Sequence, residues 1–568
     1  MKKIKFLAVV SATLFVANAF AACGGLKDAF EDDKNIDKTK VQIYVGTYDG
    51  GYGQEYIKAW AKEFEELYKD EQFTLPNGET RTGVEIVPGV SSDYGAQITT
   101  TISNSNDEII FGEAFDYYTL AKSGSILPIT DMVEATSEFD NKTIASKMTS
   151  DQQAFYRVDG EYYGLPNYEA QYGLYYDRDL FEEKGYFFGK DGNLIAQKYQ
   201  AAKDSGNLSV GPDGVPGNDD DGFPATIDQF FVMCDKMVGD GVIPVTYAGK
   251  LQFYYSQFLV SLWANFSGYD NMMVNFDYDG TANDIVSEIK ADGSVVTKSE
   301  TITPQTGYLM QKQAGKYYAL QFTEKLLDGT KAYTTDVFDQ AIGHIDNQDI
   351  FLKSRFPSGT AGANTKPIAM LIDSSWWYNE ASETMSLMAS TVSPACAANV
   401  RRIGLMPLPN ATEGGKKATL FAANYPSVVV NKKTAEWKRP IVKKFLQFAL
   451  SDEMLSLYSL TTNSAYSLKY ELTETDEAKA SYFLKSIMDA HNSADIVYPQ
   501  STSKIYRVSA SPIAGSSELA WNTLINDNRR SSPSNTIGEQ GVSAKTYFNG
   551  LSKYWDSETW TRRFSSGF

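Results

Sequence analysis

The chain is poor in the residues that bind zinc and build nucleophilic triads. Its 568 residues include two histidines, His344 and His491, and three cysteines, Cys23, Cys234 and Cys396. The histidines stand alone, so zinc sites and histidine-based triads have little to be built from. A disulfide framework is excluded as well. Cys234, in Phe230-Phe231-Val232-Met233-Cys234, and Cys396, after Pro394, are expected as free buried thiols, with one disulfide as the alternative. Positive charge is short too: 52 Lys and Arg face 71 Asp and Glu, a net −19. Such a surface repels nucleic acid and anionic headgroups, so neither is expected as a partner. Beyond residue 22 no run approaches the roughly 18 apolar residues of a membrane-spanning helix.

What is present marks a folded chain. Hydrophobic residues make up 42% and charged residues 22%, and the length exceeds what one core serves, so two lobes are expected. Aromatics are abundant, with 36 Tyr, 31 Phe and 8 Trp. Most must be core. A surplus of Tyr and Trp also suits a cleft facing sugar, where a ring matches the C–H face of a pyranose and the phenol or indole N–H reaches its hydroxyls.

The N-terminus carries a processing signal. Lys2, Lys3 and Lys5 precede an apolar run from Phe6 to Ala22, too short for a comfortable permanent span, and small residues end it. Residues 1–22 read as a signal peptide. The tetrad Phe20-Ala21-Ala22-Cys23 resembles a bacterial lipobox, although its first position is usually Leu, which makes Cys23 the expected lipidation site. Ordinary secretion is the alternative, since Ala17-Asn18-Ala19 and Ala19-Phe20-Ala21 both fit small-x-small cleavage. A lipidated Cys23 would hold the protein at the outer face of the cytoplasmic membrane by lipid alone, with residues 23–39 as a tether.

Further on, strand and helix patterns alternate. Val41–Val45 is strand-like, and after a Gly-rich turn Ile57, Trp60, Ala61, Phe64 and Leu67 recur at helical spacing. Val84–Val87 and Glu108–Phe111 are further strands around a helix at 93–104. This is the order of parallel βαβ units, in which ligands sit beyond the carboxyl ends of the strands. Tyr48, Asp49, Glu113 and Asp116 fall there. Residues 186–224 and 266–305 are polar excursions, the second read as mixed strands and turns at best. No internal repeat is evident.

Several segments, in order, resemble the extracellular solute-binding proteins of bacterial carbohydrate ABC importers, the maltose-binding protein class. They are Val45-Gly46-Thr47-Tyr48-Asp49-Gly50-Gly51; Gly164-Leu165-Pro166 to Gly173-Leu174-Tyr175-Tyr176-Asp177-Arg178-Asp179-Leu180-Phe181; and Ile368 to Trp376-Trp377-Tyr378-Asn379. Met406-Pro407-Leu408-Pro409 and Val428-Val429-Val430-Asn431, running into Phe445-Leu446-Gln447-Phe448, complete the set. The resemblance covers roughly residues 40–470 and implies a periplasmic-binding-protein-like α/β fold of two lobes with a ligand cleft between them. Carried onto this chain, the hinge strands cross near 165–168, 421–424 and 462–466. The first lobe would hold 40–166 and 420–462, and the second 167–419 and 463–568. It implies a carbohydrate ligand, permease subunits as partners, a monomer, no required cofactor and no catalysis.

Within that frame the ligand residues are expected at Tyr48, Asp49, Glu113 and Asp116, at Tyr168, Glu169 and Tyr172 on the crossing strand, at Trp376 and Trp377, and at Asn424 and Tyr425. Neighbouring strand residues point to opposite faces, so only part of the Trp-Trp-Tyr run can meet sugar. A structural calcium is expected in the loop 213–224, where Asp213, Asn218, Asp219 and Asp221 offer oxygens before a helix. The loop fails the EF-hand template and looks more like the calcium loop of alginate-binding relatives, with Gly222 in place of an acid; a solvated acidic turn is the alternative. Two rival functions stay open: a secreted glycoside hydrolase, which needs two carboxylates flanking a bond, and a solute-binding protein for peptides.

Overall fold

A computed structural model describes residues 36–48, 50–91, 94, 98–113, 117–356, 365–423, 427–509 and 518–567. Cys23 with the whole leader, and Asp49, Asp116, Asn424 and Tyr425, lie outside the described residues. Eleven strands, in chain order, build the two main sheets: β1 (Val41–Thr47), β2 (Val84–Val90), β3 (Ile109–Gly112), β4 (Leu165–Pro166), β5 (Ala170–Asp177), β6 (Ile243–Thr246), β7 (Ile368–Ser374), β8 (Ile403–Leu405), β9 (Thr419–Ala423), β10 (Ser427–Val430) and β11 (Asp495–Val497).

The first sheet has the order β2-β1-β3-β10-β4. β1 lies parallel to β2, with Val41 opposite Val84, and parallel to β3, with Val45 opposite Ile109. The helix Glu55–Leu67 between β1 and β2 buries Tyr56, Ile57, Trp60, Ala61 and Phe64, the stripe that helical spacing predicts. Its Trp60 indole donates to the Met454 carbonyl at 2.8 Å, fixing it against the helix Asp452–Thr462.

The second sheet runs β6-β7-β5-β9-β11, with β8 also on β5. β5 is buried at all eight positions, as a central strand covered on both faces must be. Residues 420–423, expected in the first lobe, pair instead with β5 and β11 in the second, because Ala422 lies opposite Gln171 and Phe421 opposite Val497.

The chain thus crosses between lobes at 167–169, between β9 and β10, and near 463–468. The first and third crossings are zipped together: Tyr168 bridges Tyr466, the Glu169 amide donates to the Ala465 carbonyl at 3.1 Å, and the Ser467 amide donates to Asn167 at 3.0 Å.

The excursions are folded parts of the second lobe. Residues 186–224 close over Phe187, Phe188, Leu208 and Phe223, all buried. Residues 266–305 hold the helix Tyr269–Asp277 and a hairpin of Gly280–Ile289 with Val295–Ile302. The helix was hidden by its polar residues, yet its buried Met272, Met273 and Phe276 keep helical spacing. Residues 518–567 pack against the same lobe, Trp521 on Trp263 at 6.1 Å between ring centroids. There the buried Lys316 ammonium donates to Gln311 Oε1 (2.7 Å) and to the Leu519 and Ala520 carbonyls (3.0 Å each). Cys234 and Cys396 are buried and free.

Candidate functional site

The Gly-rich turn after β1 meets the end of β7, and this contact joins the lobes. Tyr52, 4% exposed, shares hydrogen bonds with Ser375 Oγ at 2.6 Å and Ser464 Oγ at 2.8 Å, and its hydroxyl reaches the Glu169 carbonyl at 2.9 Å. One phenol therefore touches the second sheet and both zipped crossings. Beside it, Gly51 has φ +58°, and a Cβ there would lie 3.2 Å from Trp376 Cβ. Glycine suits the position on both counts: side chains rarely adopt this conformation, and a Cβ would press on the indole. The Asn379 amide donates to the Gly51 carbonyl at 3.1 Å.

Trp376, 9% exposed, is the centre of an aromatic cluster. Tyr52 and Tyr172 meet it edge to face, at 6.3 and 5.4 Å between centroids. Tyr254 lies within hydrogen-bond reach of its side chain and stacks on His344 at 5.6 Å. Trp377 is different. The chain turns after β7 into the short helix Trp377–Glu380, which sends this ring into the second lobe's core against Tyr175, Phe351 and Phe483. It is fully buried, so its expected ligand contact is corrected to a packing role.

The crossing strand divides its residues by face. Tyr168 and Tyr172 point toward the Tyr52–Trp376 contact. The Tyr168 hydroxyl donates to Glu113 Oε1 at 2.7 Å, and its ring lies 5.0 Å from that of Tyr52. Burial pushes the Glu113 carboxyl up to about 7, against the lowering effect of the Tyr168 hydroxyl. Glu169, expected at the ligand, points the other way. Its carboxylate accepts from Gln171 Nε2 (2.5 Å) and the Tyr498 hydroxyl (2.7 Å) and meets His491 Nδ1 at 3.0 Å, while His491 Nε2 faces the Leu468 carbonyl at 3.1 Å. Both partners of the imidazole are acceptors, so both nitrogens carry protons and His491 is a cation. Burial opposes that charge, yet Glu169 and Leu468 hold the imidazole's pKa above its ordinary value.

Behind this pair, on the far side of the crossings, lies a cavity of about 730 Å³ lined in part by Lys147, Tyr269, Asp452, His491 and Tyr498. Lys147 is ion-paired there to Asp140 at 2.6 Å and Asp452 at 2.7 Å. Tyr470, Glu471 and Asp495 also line the cavity; the cluster around Trp376, where the Gly51-Tyr52 turn meets the end of β7, is the candidate ligand site.

Residues missed in the sequence complete that site. Gln348 Nε2 donates to Glu380 Oε2 at 2.9 Å and to Asp373 Oδ2 at 3.3 Å, gathering two acids. Burial raises both, Glu380 to about 7 with Glu113 adding to the rise, and Asp373 well above the usual carboxylate range with Glu380 adding to it. An acid closing the buried run Ile368–Ile372 was a visible signal; Glu380 and Tyr52 gave none beyond proximity to Trp376 and the turn. Tyr48 is half-buried and packs against the core.

The acidic loop does not assemble the expected ligand set. Asp213 accepts from the Val215 amide (2.7 Å) and Asn218 Nδ2 (2.7 Å), and Asp221 accepts from the Gly217 amide (2.8 Å). Asp219 instead approaches Asp489, whose carboxyl burial and that neighbour push up to about 7. Among the described residues no group of three or more His, Cys, Asp or Glu is disposed to hold a metal ion.

Aromatic faces with hydrogen-bonding acids recognise a polar, ring-shaped solute; nothing in them requires bond breaking. The profile of the family "Bacterial extracellular solute-binding protein" matches residues 59–481. The chain belongs to this family, and it is a binding protein of the two-lobed α/β class, acting outside the cytoplasm. Among solved structures it is similar to "SBP RafE in complex with raffinose" (TM-score 0.51, 12% identity, covering 92% of this chain and 100% of that one). It is also similar to a "Chitin oligosaccharide binding protein" (0.51, 14%, 92% and 99%) and to the apo form of RafE from Streptococcus pneumoniae (0.51, 11%, 92% and 99%). At these identities the likeness is one of fold. No curated protein matches the chain.

Replacing Trp376 by Ala should weaken ligand binding about tenfold or more, since a stacking ring contributes about 0.5–1.5 kcal/mol beyond its buried area and a factor of ten needs only about 1.4. Trp377→Ala should instead lower stability by about 3–5 kcal/mol and leave affinity near wild type wherever the protein is folded. Calorimetry and urea unfolding of the two variants separate these roles; unchanged affinity in a folded Trp376→Ala protein contradicts the placement.

Proposed function

We propose that the chain is the sugar-capturing component of a bacterial ABC importer, which holds an oligosaccharide between its lobes and presents the closed form to a membrane permease. The observation that carries this is the meeting of Tyr52 and Gly51 from one lobe with Ser375, Trp376 and Asn379 from the other. Aromatic planes and acids converge at one point only when the lobes touch, so a solute with contacts to both sides favours the closed arrangement. The raffinose complex of RafE and the chitin oligosaccharide binding protein support a saccharide as the solute. Glu113 and Glu380 are two acids near one cleft, which a hydrolase would also have, but the family is one of receptors.

The mature protein in detergent should bind an oligosaccharide with Kd near micromolar, about −8 kcal/mol, and leave it uncut. Calorimetry against a saccharide panel, followed by chromatography of the recovered sugar, tests this. Shortened sugar would favour the hydrolase, and heat released only with peptides would favour the peptide receptor.

The location follows from the leader. Cys23 is the lipidated mature N-terminus, as the run ending in Phe20-Ala21-Ala22-Cys23 indicates, and it anchors the receptor to the outer face of the cytoplasmic membrane. Cys23→Ala should release the protein to the medium with binding intact. Mass spectrometry that finds the mature chain starting at Phe20 or Ala22 would rule the anchor out.

A further inference from the structure

Two buried acids elsewhere in the molecule have cationic partners: Asp177 pairs with Arg401 at 2.8 Å, and Glu169 with His491 at 3.0 Å. The three at the cleft do not. Glu113 receives the Tyr168 hydroxyl, and Glu380 and Asp373 share the Gln348 amide; among the described residues no lysine or arginine pairs with any of them. Two of them instead feel another acid, Asp373 the charge of Glu380, and Glu380 that of Glu113. His344, stacked on Tyr254, does not offset them, because burial lowers its pKa. A second observation points to a missing partner. Tyr172 is 3% exposed and its hydroxyl has no hydrogen-bond partner, although it lies among Tyr254, Asp373, Glu113 and Tyr52.

A buried polar group without a partner is costly, and so is a cluster of like charges. One chemistry resolves both. An ammonium group donates three charge-assisted hydrogen bonds to carboxylates and is attracted to aromatic faces such as those of Trp376 and Tyr172.

We propose that the saccharide selected here carries a free ammonium, as an amino sugar does, and that Glu113 and Glu380 read that charge; this rests on the saccharide-binding reading above. A uronic acid or sugar phosphate would be repelled by the same groups.

The test is calorimetry of the full chain in detergent with matched probes at low salt: glucosamine against glucose, their β-1,4-linked trimers, and raffinose as an unrelated neutral sugar. At pH 7.5 the amino sugars should bind at least tenfold more tightly than their neutral counterparts. That advantage should shrink at pH 5.5, where Glu113 and Glu380, which ionise near 7, take up protons. Glu380→Gln should shrink it at pH 7.5 as well, and the wild-type pH comparison stands by itself should that variant not fold. Neutral sugar bound as tightly as amino sugar, or an advantage unmoved by both pH and Glu380→Gln, overturns the inference and leaves the receptor reading in place. No heat with any saccharide overturns both.

Discussion

The hydroxyl of Tyr52 is the constraint on which the arrangement of the two lobes depends. It sits on the first lobe's turn and meets Ser375 at the end of β7, Ser464 on one crossing and the Glu169 carbonyl on another. These groups belong to four separate stretches of chain, and the phenol is buried, so each partner must be present or a polar atom is left dry. Gly51 eases the approach of Trp376: the turn backbone lies against the indole, and a Cβ there would sit 3.2 Å from Trp376 Cβ. The aromatic lining, the acids and the contact between lobes are thus consequences of one docking geometry.

The opposite face of the same crossing is held by charge. Period-two alternation sends Tyr168 and Tyr172 to the cleft and Glu169 and Gln171 to the back, where the His491 imidazolium links the first crossing to Leu468 after the third. Burial disfavours both charges, but His491, Gln171 and Tyr498 together keep the Glu169 carboxyl below its usual range. The hinge is therefore a layer with tyrosines on the side of Trp376 and an ion pair on the side of the cavity.

How much of this was legible depended on range. The parallel opening around β1 followed from local periodicity, and the crossing strand and the Trp-Trp-Tyr run from family resemblance. The choice between Trp376 and Trp377 did not, because it is made by a turn into a helix directly after β7 that neighbouring residues do not announce. The surroundings of Glu169 were hidden for a similar reason: alternation gives two faces without saying what each one meets until His491, more than 300 residues away, is in place. Tyr52, Gln348 and Glu380 act through partners distant in sequence and carry no motif. In the acidic loop, composition alone does not say which oxygens are used: Asp213 and one Asp221 oxygen accept from the loop's own nitrogens, while the other Asp221 oxygen is buried without a hydrogen-bond partner.

Ligand binding should favour contact between the lobes. Small-angle scattering of the mature protein, with and without saturating saccharide, measures it most directly. The account predicts a smaller radius of gyration with sugar, and a Tyr52→Phe protein that closes less completely because the hydroxyl linking the lobes is gone. Identical scattering curves with and without a sugar that calorimetry shows to be bound would contradict it.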